Sequence, residues 1–158
     1  MSMPQAIAVA HPEDVISISV EEVSEFSPAE IRLAIVELVT KDQNLLANAL
    51  VDAGLSLYPD SEDILAIAAL LAETQADWQT AESHLEHLTR IQGNACTPTV
   101  FRHLIRVQVC LCEVGKAILT ARRALDIYPG HDEIIEEYAR LTQDYAEGFV
   151  PNAPPSVQ

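Results

Sequence analysis

The segment Leu55-Ser56-Leu57-Tyr58-Pro59-Asp60-Ser61-Glu62-Asp63-Ile64 returns 70 residues later as Leu125-Asp126-Ile127-Tyr128-Pro129-Gly130-His131-Asp132-Glu133-Ile134. Seventy is two periods of roughly 34 residues, a length at which self-similarity marks a stack of equivalent supersecondary units. In each copy a helix is expected to end at Tyr-Pro, because proline disfavours helix in the residue before it and cannot continue the ladder. A short polar turn then opens the next helix. The repeated string therefore reads as a structural joint and carries no catalytic signature.

Four helix starts can be placed without using that match. Ser27-Pro28-Ala29-Glu30 joins an N-cap serine to proline at the first helical position and glutamate at the third. Asp60-Ser61-Glu62-Asp63 offers two caps after Pro59, Thr97-Pro98 repeats the cap-then-proline pattern, and Gly130-His131-Asp132-Glu133 follows Pro129. First positions at Pro28, Glu62, Pro98 and Asp132 are spaced by 34, 36 and 34 residues. The two additional residues fall in the linker Gly93-Asn94-Ala95-Cys96-Thr97, where an insertion costs little. Each unit should contain a second helix, entered through Thr40-Lys41-Asp42-Gln43, Gln75-Ala76-Asp77-Trp78 or Cys112-Glu113-Val114-Gly115. Leu33, Leu38, Leu46, Leu50, Leu65, Leu71, Leu85, Leu88, Leu104, Leu111, Leu119 and Leu125 supply the expected packing stripes. The last helix, Asp132 to about Glu147, places Ile135, Tyr138, Ala139 and Leu141 on one side and Glu133, Glu136, Glu137, Arg140 and Asp144 on the other. Such a helix suits the end of a stack.

Together these features resemble the tetratricopeptide repeat family. Ala47, Ala81 and Ala117 match its alanine at position 20, and Pro59 and Pro129 its proline at position 32. Ala69 and Ala139 match the small residue at position 8, and Ala124 matches position 27, where the first unit has Gly54. Ile35 and Gly93 depart from the pattern, at position 8 of the first unit and at the closing proline of the second. The resemblance spans Pro28 to about Asp144. It implies an all-α, right-handed superhelical solenoid of three helix-turn-helix hairpins plus a C-terminal capping helix. The expected organisation is an acidic N-terminal arm at 1–26 with disorder among its expected states, a helical repeat domain at 27–147, and a flexible proline-containing tail at 148–158. Within the arm, Ile16-Ser17-Ile18-Ser19-Val20 alternates like a strand.

Charge narrows the function classes. Twenty-four acids against nine basic residues give a formal charge of −15, a field that repels nucleic acid and anionic membrane surfaces. No apolar run is long enough to span a bilayer, and the first basic residue is Arg32, so neither a membrane anchor nor a signal peptide is expected and the cytoplasm is the default location. Cys96, Cys110 and Cys112 contain no CxxC pair and read as reduced, mostly buried thiols. No phosphate-binding loop, GxSxG or HExxH motif is present, so no enzyme activity, metal or cofactor is expected. His84 and His87 amount at most to half a metal site, and with His103 they define a metal- or ligand-sensor alternative.

The acids are unevenly placed. From Asp42 to Glu86 there are nine acidic and no basic residues, whereas Thr97 to Leu125 carries Arg102, Arg106, Lys116, Arg122 and Arg123 against Glu113 alone. The family resemblance places the first helix of each unit along a concave groove. Groove candidates here are Arg32, Val36, Ile67, Leu70, Arg102, His103, Arg106, Val109 and Arg140. The implied function is non-catalytic: an adaptor or chaperone holding a protein or peptide segment with acidic and apolar residues, the arginines setting its orientation. His103, beside those arginines, is expected to titrate near neutral pH and weaken anion binding as pH rises. The same arginines are also placed to pair with Glu136, Glu137 or the acidic arm. Family members that grip the C-terminal tails of heat-shock chaperones use asparagines at groove position 9 in their first two units. Val36 and Leu70 stand there in this chain and make such a clamp a poor fit. Two alternatives remain: a self-assembling module, homodimeric through the solenoid ends, the Ile16–Val20 segment or the 132–147 helix, and a chaperone similar to those of type III secretion that hold translocators.

Overall fold

The computed structural model describes residues 18–148, and all described regular structure is helical. Eight α-helices occur among these residues: α1 Val20–Val23, α2 Pro28–Thr40, α3 Asn44–Leu57, α4 Glu62–Thr74, α5 Trp78–Gln92, α6 Pro98–Cys110, α7 Val114–Ile127 and α8 Asp132–Gly148. The four expected first positions are the first residues of α2, α4, α6 and α8. The chain divides into two compact units, Met1–Ile91 and Gln92–Gln158.

Capping chemistry fixes the starts. Ser27 and Glu30 form a reciprocal capping box, the Ser27 hydroxyl and amide both donating to Glu30 Oε2 at 2.7 and 2.8 Å. Those bonds to Ser27, first through its side chain and then its backbone, hold the Glu30 carboxyl below its ordinary pKa. Ser61 accepts from the Ile64 amide at the head of α4, and Asp77 accepts from the Thr80 amide at the head of α5.

The intra-hairpin turns share one backbone device. Asp42, Ala76 and Cys112 have φ of 58°, 57° and 60°, the left-handed region usually left to glycine. The amide one residue on reaches back five positions, Gln43 to the Leu38 carbonyl, Asp77 to Ala72 and Glu113 to Gln108, at 2.8–2.9 Å. This is a Schellman closure, satisfying carbonyls the helix end leaves open. The third turn therefore consists of Leu111, Cys112 and Glu113, earlier than the sequence suggested. Gly115 lies inside α7, because Cys112 takes the left-handed residue's place.

In the first unit Val23, Ile31, Ile35, Ala47, Leu50, Val51, Ala53, Ile64, Ile67, Ala68 and Leu71 form a continuous core, with Phe26 and Tyr58 packed against it. Ala47, Ala81 and Ala117 are fully buried, as expected of positions where paired helices approach closely. In the second unit Cys96, Phe101, Ala124 and Ile134 form one cluster and Ile105, Ala117, Ala121 and Leu141 another. Gly54 and Ala124 mark equivalent close approaches: a Cβ on Gly54 would stand 3.3 Å from Ile31 and 3.4 Å from Ile64.

Four expectations change. Residues 18–20 are not strand: Ser19 caps α1, its hydroxyl accepting from the Glu22 amide while Glu22 accepts from the Ser19 amide. The remainder of the alternating segment, Ile16 and Ser17, and all of residues 1–17 and 149–158 lie outside the described residues. Packing against the core extends N-terminally past residue 27, because Val23 is fully buried against α3 and its neighbours. Of the thiols only Cys96 is buried, while Cys110 and Cys112 sit exposed at a helix end and its turn. Of the leucines expected in the packing stripes, Leu33 and Leu119 face solvent.

Candidate functional site

The outward faces of α2 and α4 form one surface of the first unit. These helices pack side by side. Arg32, one turn from the start of α2, reaches Asp63 at the start of α4, with Nε 2.9 Å from Oδ1. The approach is that of an ion pair without the alignment of a hydrogen bond. Along the same faces Val36 and Leu70 are 43 % and 46 % exposed, and Leu33 is 59 % exposed. Exposed β-branched and leucine side chains on adjacent helices leave apolar surface uncovered among the described residues, which a folded domain ordinarily avoids when it can. Ile67 is different: at 8 % exposure it belongs to the core, because its position turns toward α2 and α3.

The corresponding face of the second unit, on α6 and α8, is polar. Arg102 Nη1 lies 2.6 Å from Glu133 Oε2. Arg32 and Asp63 are 31 residues apart, as are Arg102 and Glu133, and the two pairs are related by the same 70-residue shift. Arg140 bonds Glu137 one turn earlier on α8. Arg106 is exposed and His103 half-buried, each engaged in further polar or electrostatic contacts. Val109 is half-buried and packs on the Ile105–Ala117–Ala121–Leu141 cluster, so it supports the face from beneath. The basic block is thus partly met by acids of α8, although by Glu133 for Arg102 where Glu136 and Glu137 were the candidates.

The histidines of α5 serve as struts. His87 Nε2 is 2.9 Å from Asp60 Oδ1 in the α3–α4 connection. His84 is about half-buried, and desolvation followed by repulsion from His87 pushes its pKa down, while Asp52 of α3 and Asp77 pull it up. No group of three or more His, Cys, Asp or Glu side chains able to hold a metal occurs among the described residues. No described helix is long and apolar enough to cross a membrane.

Exposed thiols at Cys110 and Cys112 and the exposed Leu33 were missed in the sequence. Burial depends on which helix lies opposite, and helical periodicity alone does not report that.

Comparison with solved structures places this architecture. The chain is similar to the first tetratricopeptide repeat domain of Spaghetti (RPAP3) bound to an HSP90 peptide, SRMEEVD. The TM-score is 0.64 at 13 % identity, covering 76 % of this chain and 94 % of that one. It is also similar to the C-terminal tetratricopeptide-repeat-containing domain of a Plasmodium falciparum FK506-binding protein, with a TM-score of 0.60 at 14 % identity over 85 % and 97 % of the two chains. No family model and no curated protein matches the sequence. At these identities the likeness establishes the fold: the chain has the tetratricopeptide repeat fold.

Proposed function

We propose that the chain is a non-catalytic, cytoplasmic adaptor or chaperone that holds a segment of a partner protein on the outward face of α2 and α4. The observation that carries this reading is the exposure of Val36 and Leu70 on two packed helices, beside the Arg32–Asp63 pair. An apolar floor with a charged pair at one end suits an extended or helical peptide, whose apolar side chains displace water while its acidic groups approach Arg32. Burial of two or three such side chains is worth about 1.5–3 kcal/mol each before ordering costs. The RPAP3 domain binds an HSP90 peptide. A peptide ligand of some kind is supported by that likeness, but Val36 and Leu70 replace the asparagines of a carboxylate clamp. The reading therefore favours an internal apolar segment over a free C-terminus. Arg102, Arg106, His103 and Arg140 are proposed as the second unit's own contacts to acidic parts of a partner protein.

The test is capture from native lysate with wild type, Val36→Asp/Leu70→Asp and Arg102→Glu/Arg106→Glu, read by mass spectrometry. A protein retained by wild type and lost by the folded first variant supports the α2–α4 face. If all three return the same proteins, the proposal fails.

A further inference from the structure

The 70-residue shift pairs each residue of α3 and α4 with one of α7 and α8, and burial differs sharply at a subset of them. On α4, Leu65, Ala69 and Ala72 are buried; their counterparts on α8 are Ile135, 41 % exposed, Ala139, exposed, and Thr142, half-buried. With exposed Ala146 these form a stripe at i, i+4, i+7 and i+11, the spacing of a helix-packing seam. The stripe is distinct from the one through Ile134 and Leu141, which faces the core of its own unit. On α3, Asn48 bonds Gln75 at the α4–α5 turn and Asp52 acts on His84 of α5; their counterparts on α7 are Ile118, half-buried, and Arg122, exposed. In the first unit α5 runs beside this flank of α3, since Asp52 acts on His84 and Asp60 meets His87. No helix follows α8 among the described residues. Among the described residues the counterpart flank therefore has no helix in the place of α5.

We propose that the α7–α8 face of the second unit docks a second copy of this chain. Its charges select that occupant. The α7 edge carries Arg122, whereas Lys116 is held by Glu113 and Arg123 lies over the Phe101 ring; the far edge of the α8 seam carries Asp132, Glu136 and Glu147. A two-fold axis parallel to the helices lays the Arg122 edge of each copy over the acidic edge of the other, twice, with Ile118, Ile135 and Ala139 between them. Small residues at Ala139 and Ala146 allow close approach of a second helix. Residues 92–158 hold six basic and eight acidic residues, whereas residues 1–91 hold three and sixteen. The self-repulsion of the chain is thus concentrated in the other unit, and the unit that carries this face is nearly neutral and able to meet its copy.

Sedimentation equilibrium of the full chain over about two decades of concentration tests the assignment. Wild type is expected to form a dimer. Ala139→Arg, at an exposed position whose substitution leaves the melting transition of the dilute monomer unchanged, should weaken dimerisation at least about tenfold. Arg122→Glu and Glu136→Arg should each do the same alone, and an equimolar mixture of the two should dimerise again, because each repelling edge then meets its opposite. A wild type that stays monomeric throughout, a dimer indifferent to Ala139→Arg, or a mixture that stays monomeric overturns the proposal. None of these readouts involves the peptide face of α2 and α4, so that reading stands or falls separately.

Discussion

The hydroxyl of Tyr58 donates to the carbonyl of Phe26 at 3.0 Å, joining residues 32 positions apart. Tyr128 makes the same bond to Cys96 at 2.9 Å. Both tyrosines close a helix, α3 or α7, with φ near −130° and ψ near 65°, and both tie that end to the segment entering the preceding helix. The repeated Leu-x-Leu/Ile-Tyr-Pro string is thus a joint with a defined hydrogen bond.

Tyr58→Phe and Tyr128→Phe should each cost about 1–2 kcal/mol, since each leaves a partly buried carbonyl without its donor. Urea unfolding measures the loss. Hydrogen exchange localises it: Tyr58→Phe should raise exchange at residues 20–26, and Tyr128→Phe at residues 93–97. A variant showing both patterns would mean that the ties are not local.

Ala76→Gly should stabilise the protein by about 0.5–1 kcal/mol, because Ala76 holds a left-handed conformation that costs a side chain more than glycine. Asp42→Gly should gain less, as aspartate tolerates that region. Melting temperatures of the two variants decide the order.

Acidification below about pH 6.5 should weaken the fold through His84. Its folded pKa lies below its unfolded value, so the unfolded state binds a proton first and stability rises with pH between the two. The contribution is complete above the unfolded value and lost as pH falls toward the folded one. His84→Gln should flatten this part of the stability profile measured by chemical denaturation from pH 5 to 8. The depressed Glu30 adds a second loss nearer pH 4, present above its unfolded pKa and removed as pH falls through its folded one.

Arg32→Gln and Arg102→Gln should change stability by no more than about 0.5 kcal/mol each, because both ion pairs are roughly half-exposed. Partner retention in the capture experiment should fall all the same. A large loss of stability would recast these pairs as structural.

Helix starts were legible because caps and prolines act locally: Ser27, Ser61 and Pro98 state their role within four residues. Ala47, Ala81 and Ala117 were legible from spacing alone. The third turn, expected at Cys112 to Gly115, closes earlier because Cys112 is its left-handed residue, and nothing local marks a cysteine for that conformation. The single apolar side drawn for α8 split into two, since Ile134 and Ile135 are adjacent and only packing shows which turns inward. Ile67 and Val109 were taken as groove surface for the same reason. The charge block was plain in composition, but its pairing with Glu133 depends on a contact across 31 residues.

The bond from Tyr58 to Phe26 also dictates where the chain can be cut. A fragment beginning at the Ser27 cap would keep every hairpin and still remove Val23 from the core and the acceptor from Tyr58. Such a truncation should expose one end of the α2–α3 hairpin to water and to other chains. Aggregation of the shortened protein would then be traced to four missing helical residues, and a dependable minimal fragment starts no later than residue 18.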